Sequence, residues 1–456
     1  MSGLGTGGAG AADLYWDANN SGIGIGGTGT WDTSTSSWNT TGNDVAGPFT
    51  TWNSATPDNA IFQGTAGTVT LGAPITAGSL TFNVNGYTIT GSTLTLGGAT
   101  PTITAAGSAT INSVIAGSAG LTKAGAGTLT LSGVNTFSGN VTVNAGTLGL
   151  TGTNSFTGAV NVNGGILFVG SNAALGNATN VVNLAAGTVL SASGSLLGRT
   201  VSLSGQANVQ GAGAGSAHYT GAGGLTVAAV GSTGSISMSD DTNDFAGPVN
   251  FVVNNAAAAS FTSVRNIGQA SALGAGDTIS LQANSGVSAL NYTGTGNTSN
   301  RNWQITTGVG APTAFLQNAG TGTLTLTGNI SVTGGTTVAL GATTADLQAL
   351  GVISSAAANT FRFIASGSGA ITLGNANTFT GAASIEGGVV RAGVLANSGA
   401  TSSLGAGAAI SITGGTLSYT GAGASSNRAL TLGGTSAIRN EGTGALPLSG
   451  ATSLTG

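Results

Sequence analysis

Three stretches of this chain repeat one frame. Residues 135–148 read NTFSGNVTVNAGTL, residues 154–167 read NSFTGAVNVNGGIL and residues 377–390 read NTFTGAASIEGGVV. Each opens with Asn, a hydroxyl residue, Phe, a second hydroxyl residue and Gly. A short alternating run follows, closed by Gly and an aliphatic residue. A looser copy begins at Asn243-Asp244-Phe245-Ala246-Gly247, and the first two copies begin 19 residues apart. Two further units accompany the frame. GTLTL occurs at 127–131 and 322–326, and Ala174-Leu175-Gly176 is echoed by Ser403-Leu404-Gly405 and more weakly by Ala272-Leu273-Gly274.

These units constrain the fold. GTLTL, NVTVN, TVTL (68–71) and SLTFNV (79–84) alternate apolar and polar with period two, as a half-buried strand does. Thr and Val suit a pleated surface. Gly and Asn punctuate the runs, and both accept the positive φ of turns. No stripe has helical period; DLQALGVI (346–353) comes nearest and Gly351 interrupts it. Strands this short, recurring about every 20 residues without helices, must coil to bury their apolar faces. A parallel β-helix does so by stacking each turn about 4.8 Å above the last, with aliphatic columns inside. The expected fold is therefore all-β, a parallel β-solenoid of roughly 20 turns. An array of β-sandwiches is the structural competitor.

Composition narrows the function. The chain has 456 residues, of which 83 are Gly; only 8 are basic and 12 acidic, with one His and no Cys. Gly spacing is irregular, which excludes collagen. Without Cys there is no disulfide framework, zinc-cysteine cluster or haem attachment. Eight scattered cations cannot build a nucleic-acid surface. No run of about 18 apolar residues predicts a membrane-spanning helix, and residues 1–12 show no secretion signal.

The segment GAGTLTLSGVNTFSGNVTVNAGTL (125–148) closely resembles the passenger-associated transport repeat of bacterial autotransporters, and the likeness recurs at 320–326 and 375–390. TPDNAIFQGTAGTVTL (56–71) and GSLTFNVNGYTITG (78–91) resemble the segment that commonly opens such proteins. The resemblance implies an exported right-handed parallel β-helix, placed outside a bacterium or on its surface. Autotransporters end in a membrane β-barrel with a terminal aromatic residue, whereas this chain ends Ser453-Leu454-Thr455-Gly456.

Trp16, Trp31, Trp38 and Trp52 set residues 1–60 apart from the repeat texture of 61–456. The first segment is expected to close the solenoid against water. Its tryptophans are also candidates for stacking on a glycan or for joining neighbouring molecules. Asp240, Asp241 and Asp244 form the densest acidic cluster, a candidate Ca²⁺ site built on oxygen ligands; no other cofactor is implied. Gly22-Gly24-Gly27 satisfies a dinucleotide-binding pattern but lacks the following helix. His218, the only imidazole, would have to serve any Ser-His-Asp triad. Glu386 and Glu441 are isolated in repeat frames and read as outward positions.

Two functional readings follow, neither enzymatic. A rod showing water mainly hydroxyls, amides and methyls has little repulsion to keep copies apart. That favours an extracellular scaffold, filament, sheath or surface layer built from copies of the chain. The alternative is a monomeric adhesin passenger that binds a surface or glycan. A glycan-degrading enzyme would need paired, positioned carboxylates, which the inventory does not supply.

Overall fold

The structure, a computed structural model, describes residues 11–455 apart from 21–23, 44–46, 230–234, 255–256, 309–312 and 336. The chain is an all-β parallel β-solenoid of about 17 turns. The described helical structure is two short 3-10 turns, Asn172–Leu175 and Ala214–Ser216. The DLQALGVI stretch forms strands Leu347–Ala349 and Ile353–Ser355. Two compact units, residues 1–204 and 205–456, divide the chain.

In the first unit one face stacks strands Asn59–Phe62, Ser79–Phe82, Thr102–Ala105, Leu121–Ala124, Val141–Val143, Val160–Val162, Val182–Leu184 and Thr200–Leu203 in parallel. A second face stacks Thr68–Leu71, Tyr87–Gly91, Ala109–Ile111, Thr128–Leu131, Thr147–Leu150, Ile166–Val169 and Val189–Ala192. A short third face holds Ile75–Ala77, Leu94–Leu96 and Ile115–Ala116. Thr102 pairs with Thr122 and Val141 with Val160, coils of 20 and 19 residues.

Because the register is in phase, period-two alternation becomes columns. Leu80, Ile103, Lys123, Val143, Val162, Leu184 and Leu203 lie one above another and are all buried. Each buried Leu or Val contributes about 1.5–3 kcal/mol by leaving water. The outward partners form a polar ladder through Thr102, Thr122, Thr142, Asn161, Asn183 and Ser202. Corners stack as well. Gly165 has φ +79°, and a Cβ there would sit 2.2 Å from the Gly146 carbonyl oxygen, so the Gly before the strand is a steric necessity.

At the start of this unit the direction changes. Trp38–Asn39 pairs antiparallel with Tyr15–Trp16, and Phe49–Thr50 pairs antiparallel with Trp38–Asn39.

In the second unit the coils lengthen. Val249 pairs with Ile279, a coil of 30 residues, and Trp303 with Ile330, a coil of 27. The 20-residue period therefore does not extend over the whole chain, which is why there are fewer turns than the short repeats suggest. The extra residues lengthen strands, to eight at Thr278–Ser285 and eleven at Ala409–Tyr419, and fill loops such as 262–277. One face runs Leu225–Ala229, Val249–Asn254, Thr278–Ser285, Asn302–Thr307, Ile330–Thr333 and Ile353–Ser355. Another includes Thr313–Asn318, Thr337–Ala342, Thr360–Ala365, Ala383–Ala392 and Ala409–Tyr419.

Candidate ligand-binding surfaces

The four N-terminal tryptophans form one buried cluster. Trp16, Trp31 and Trp38 are 0% exposed and Trp52 is 1% exposed. Ring centroids lie 4.8 Å apart for Trp31–Trp38, 4.8 Å for Trp31–Trp52 and 4.7 Å for Trp38–Trp52. Trp16 Nε1 donates to Gly27 O and Trp52 Nε1 to Thr76 O, each at 2.9 Å. Phe62 continues the cluster and stacks on Phe82 at 4.9 Å. Every indole face is covered, so no sugar ring or neighbouring molecule can lie on these side chains. Their large apolar area is used on the core itself.

The acidic segment does not gather its carboxylates. Thr242 donates its hydroxyl to Asp240, whose Oδ2 is 3.6 Å from His218 Nδ1. Asp241 accepts from the hydroxyls of Thr262 and Ser263. Asp244 is exposed, and its N–H donates to Tyr219 O at 3.1 Å. The residue turned inward is Asn243. It accepts from the Tyr219 N–H at 2.7 Å and donates to Ala272 O at 3.0 Å. Among the described residues no group of three or more His, Asp or Glu side chains is placed to hold a metal ion. The Ca²⁺ cluster expected at Asp240, Asp241 and Asp244 is not assembled.

The opening Asn of the repeated frame is not in the positive-φ turn conformation. Among the described residues the only non-Gly positive φ belongs to Asn20. The frame asparagines are buried and tie coils together. Asn154 donates to Ala174 O at 2.6 Å, Asn243 to Ala272 O, and Asn377 to Ser403 O at 2.7 Å. Each thus holds the Ala/Ser-Leu-Gly loop of the next coil. A buried arginine from a later coil holds the same loop. Arg199 reaches Asn172 Oδ1 at 3.0 Å and Asn180 O at 3.1 Å; Arg301 reaches Leu273 O at 2.8 Å; Arg428 reaches Gly407 O, Leu404 O and Gly405 O at 2.6, 3.2 and 3.1 Å. Burial pushes the Arg301 guanidinium down to about 10 and lowers Arg199 and Arg428 in the same direction. The sequence carried a signal for this: Ser-Asn-Arg occurs at both 299–301 and 426–428.

Lys123 is buried too. Its Nζ donates to the carbonyls of Ala124 and Gly125 at 2.8 Å and of Ala145 at 3.2 Å, and burial pushes the amine down to about 8. Half of the eight cations are therefore inside. Of the others, Arg362 pairs with Glu386 and Arg391 with Asp346. The exterior is less charged than composition implies.

Two grooves open on the polar ladder of the first unit. One, about 420 Å³, is lined by Pro57, Gly78, Ser79, Ala99, Thr100 and Thr102 among others. The second, about 250 Å³, is lined by Ala99, Thr100, Gly120, Leu121, Thr122, Asn140 and Thr142. The bulging segment 97–101 lines the first, and its Ala99 and Thr100 line both. The linings hold no charged side chain. Among the described residues no helix is long and apolar enough to cross a membrane.

The stacked coils and the Asn-x-Phe frames that tie them are those of a parallel β-solenoid built on a short repeat. The family model of the passenger-associated-transport-repeat matches residues 121–150, 145–167, 316–343 and 363–392. The chain is an autotransporter passenger segment carrying these repeats. It is 47% identical over 468 aligned residues to a protein of Brucella suis biovar 1 (strain 1330) described as "Adhesin BmaC autotransporter". That alignment covers 98% of this chain and 13% of the Brucella protein. No solved structure matches the chain.

Proposed function

We propose that this chain is part of the extracellular passenger of a bacterial adhesin, a non-enzymatic solenoid that holds its cell to a surface ligand. The observation that carries the reading is the 47% identity, spread over 98% of the chain, to a protein described as an autotransporter adhesin. Of the two functions expected from the sequence, this supports the adhesin over the self-assembling filament or sheath. The test is surface display. Non-adherent bacteria displaying residues 1–456 should attach to cultured animal cells or to their extracellular matrix more than the same bacteria displaying an unrelated solenoid. Equal attachment would remove the reading.

A further inference from the structure

The paired grooves of the first unit lie apart from the frame-Asn and Arg contacts; within their linings Asn140 accepts from the Ala159 N–H at 2.9 Å and Ser79 donates to Asn59 Oδ1 at 2.6 Å. We propose that the two grooves are successive subsites for a neutral, linear glycan. The proposal deepens the adhesin reading and rests on it for the existence of a surface ligand.

Four features select this ligand class. First, an anionic glycan or acidic peptide calls for a countercharge, and the lining has none. The nearest carboxylates are committed: Asp13 accepts from Asn59 Nδ2 at 2.9 Å and Asp58 from the Ala12 N–H at 2.8 Å. Second, the linings carry hydroxyls in register, Thr102 in the first groove and Thr122 and Thr142 in the second. Thr102 pairs with Thr122 and Thr122 with Thr142, one coil apart, so the rungs repeat about every 4.8 Å. That step is close to the advance of one sugar ring along an extended glycan, so each ring meets a hydroxyl rung. Third, Pro57 and the Ala99 methyl offer apolar walls to the C–H faces of sugars, the mixture of apolar wall and few polar groups usual in ligand sites. Fourth, the site is preformed. Pro101 is buried and Gly97 packs so closely that a Cβ there would lie 3.0 Å from Pro57 Cγ, so binding orders little that is not already ordered. A volume of about 420 Å³ suits a few sugar rings.

The experiment is a glycan array probed with the soluble chain, followed by titration calorimetry of the best neutral oligosaccharide. Ala99 and Thr100 are exposed, and Thr122 points outward, so Ala99→Trp and Thr122→Trp should fold normally by circular dichroism. Each should weaken binding about tenfold or more. Thr130→Trp, on the other face of the coil, should leave it unchanged. Recognition of anionic glycans alone, or no recognition of any glycan, would overturn the proposal. So would binding that Ala99→Trp and Thr122→Trp both leave intact. If displayed chain holds cells while the array is blank, the grooves are not the site and the adhesin reading stands; if neither binds, both fail.

Discussion

Arg428 donates from Nη1 to the carbonyl oxygen of Leu404, 3.2 Å away and 24 residues earlier in the chain. With its Nε and Nη2 bonds to Gly407 and Gly405, it occupies carbonyls that the bulging loop cannot pair within the ladder. Buried carbonyls left unpaired cost about 1–3 kcal/mol each. Arg428→Met should therefore destabilise the second unit by roughly 3 kcal/mol, seen as a lower denaturation midpoint and faster hydrogen exchange at 394–407. Arg428→Lys should rescue little, since an ammonium cannot reproduce the fork. Wild-type exchange in the Met variant would contradict the assignment.

The asparagine on the other side of the loop acts across three coils. Asn377 accepts from the Ile353 N–H at 2.7 Å and donates to Ser403 O. Asn377→Asp keeps the acceptor, removes the donor and buries a charge, so it should cost more than Asn377→Leu, which leaves two unpaired groups but no charge. Chemical denaturation of the pair gives the order directly. Equal midpoints would place the side chain in water.

Gly405 has φ +72°, and a Cβ on it would lie 2.4 Å from Phe379 Cε2. Phe379 in turn stacks on Phe361 at 3.9 Å and cannot yield. Gly405→Ala should lower stability by about 2 kcal/mol or more, combining backbone strain with the displaced ring. A thermal midpoint equal to wild type would mean the loop sits differently.

The pH dependence turns on Lys123. Its folded-state pKa, about 8, lies below its ordinary value of 10.5. Between those values the unfolded chain holds a proton that the folded chain does not, so stability rises with pH across the window. The gain is about 3 kcal/mol at most, and it is absent below pH 8. Tyr87, pushed up to about 12, has the opposite sign: its contribution is lost as pH rises from 10 to 12. Above pH 10 the Tyr87 loss is opposed by Arg301, whose value of about 10 gives it the same sign as Lys123, so the net rise assigned to Lys123 is confined to pH 8 to 10. Lys123→Met should abolish the rise between pH 8 and 10, as read by urea denaturation at several pH values. A rise that persists would assign it to another group.

Much of this was legible because burial in a strand has the same period as the sequence. Leu80-Thr81-Phe82 alternates in composition and in exposure, and stacking such triplets yields the solenoid without further information. The coil length of the second unit was not legible. Its loops are held by contacts between residues more than 20 apart, such as Arg301 with Leu273; the repeated Ser-Asn-Arg marks the arginines but not the loops they reach. The frame asparagines are visible as repeats, but the bonds they make across coils are not, because Asn serves turns and buried ladders alike. The Trp-rich segment stood out by composition, but which way an indole faces depends on packing: Trp31 meets Trp38, Trp52 and Phe62 only once the antiparallel strands fold over the coil. The grooves depend on the segment 97–101 bulging beside a tight corner at Gly78, a difference between neighbouring coils that no single repeat displays.

The central claim, that this segment adheres as a passenger and not as a polymer, is tested most directly by binding labelled chain to cultured cells at concentrations where sedimentation shows a monomer. The account predicts saturable binding, competed by unlabelled chain, throughout the monomeric range. Binding that appears only once the chain assembles into fibres or sheets, or no saturable binding at all, would contradict it.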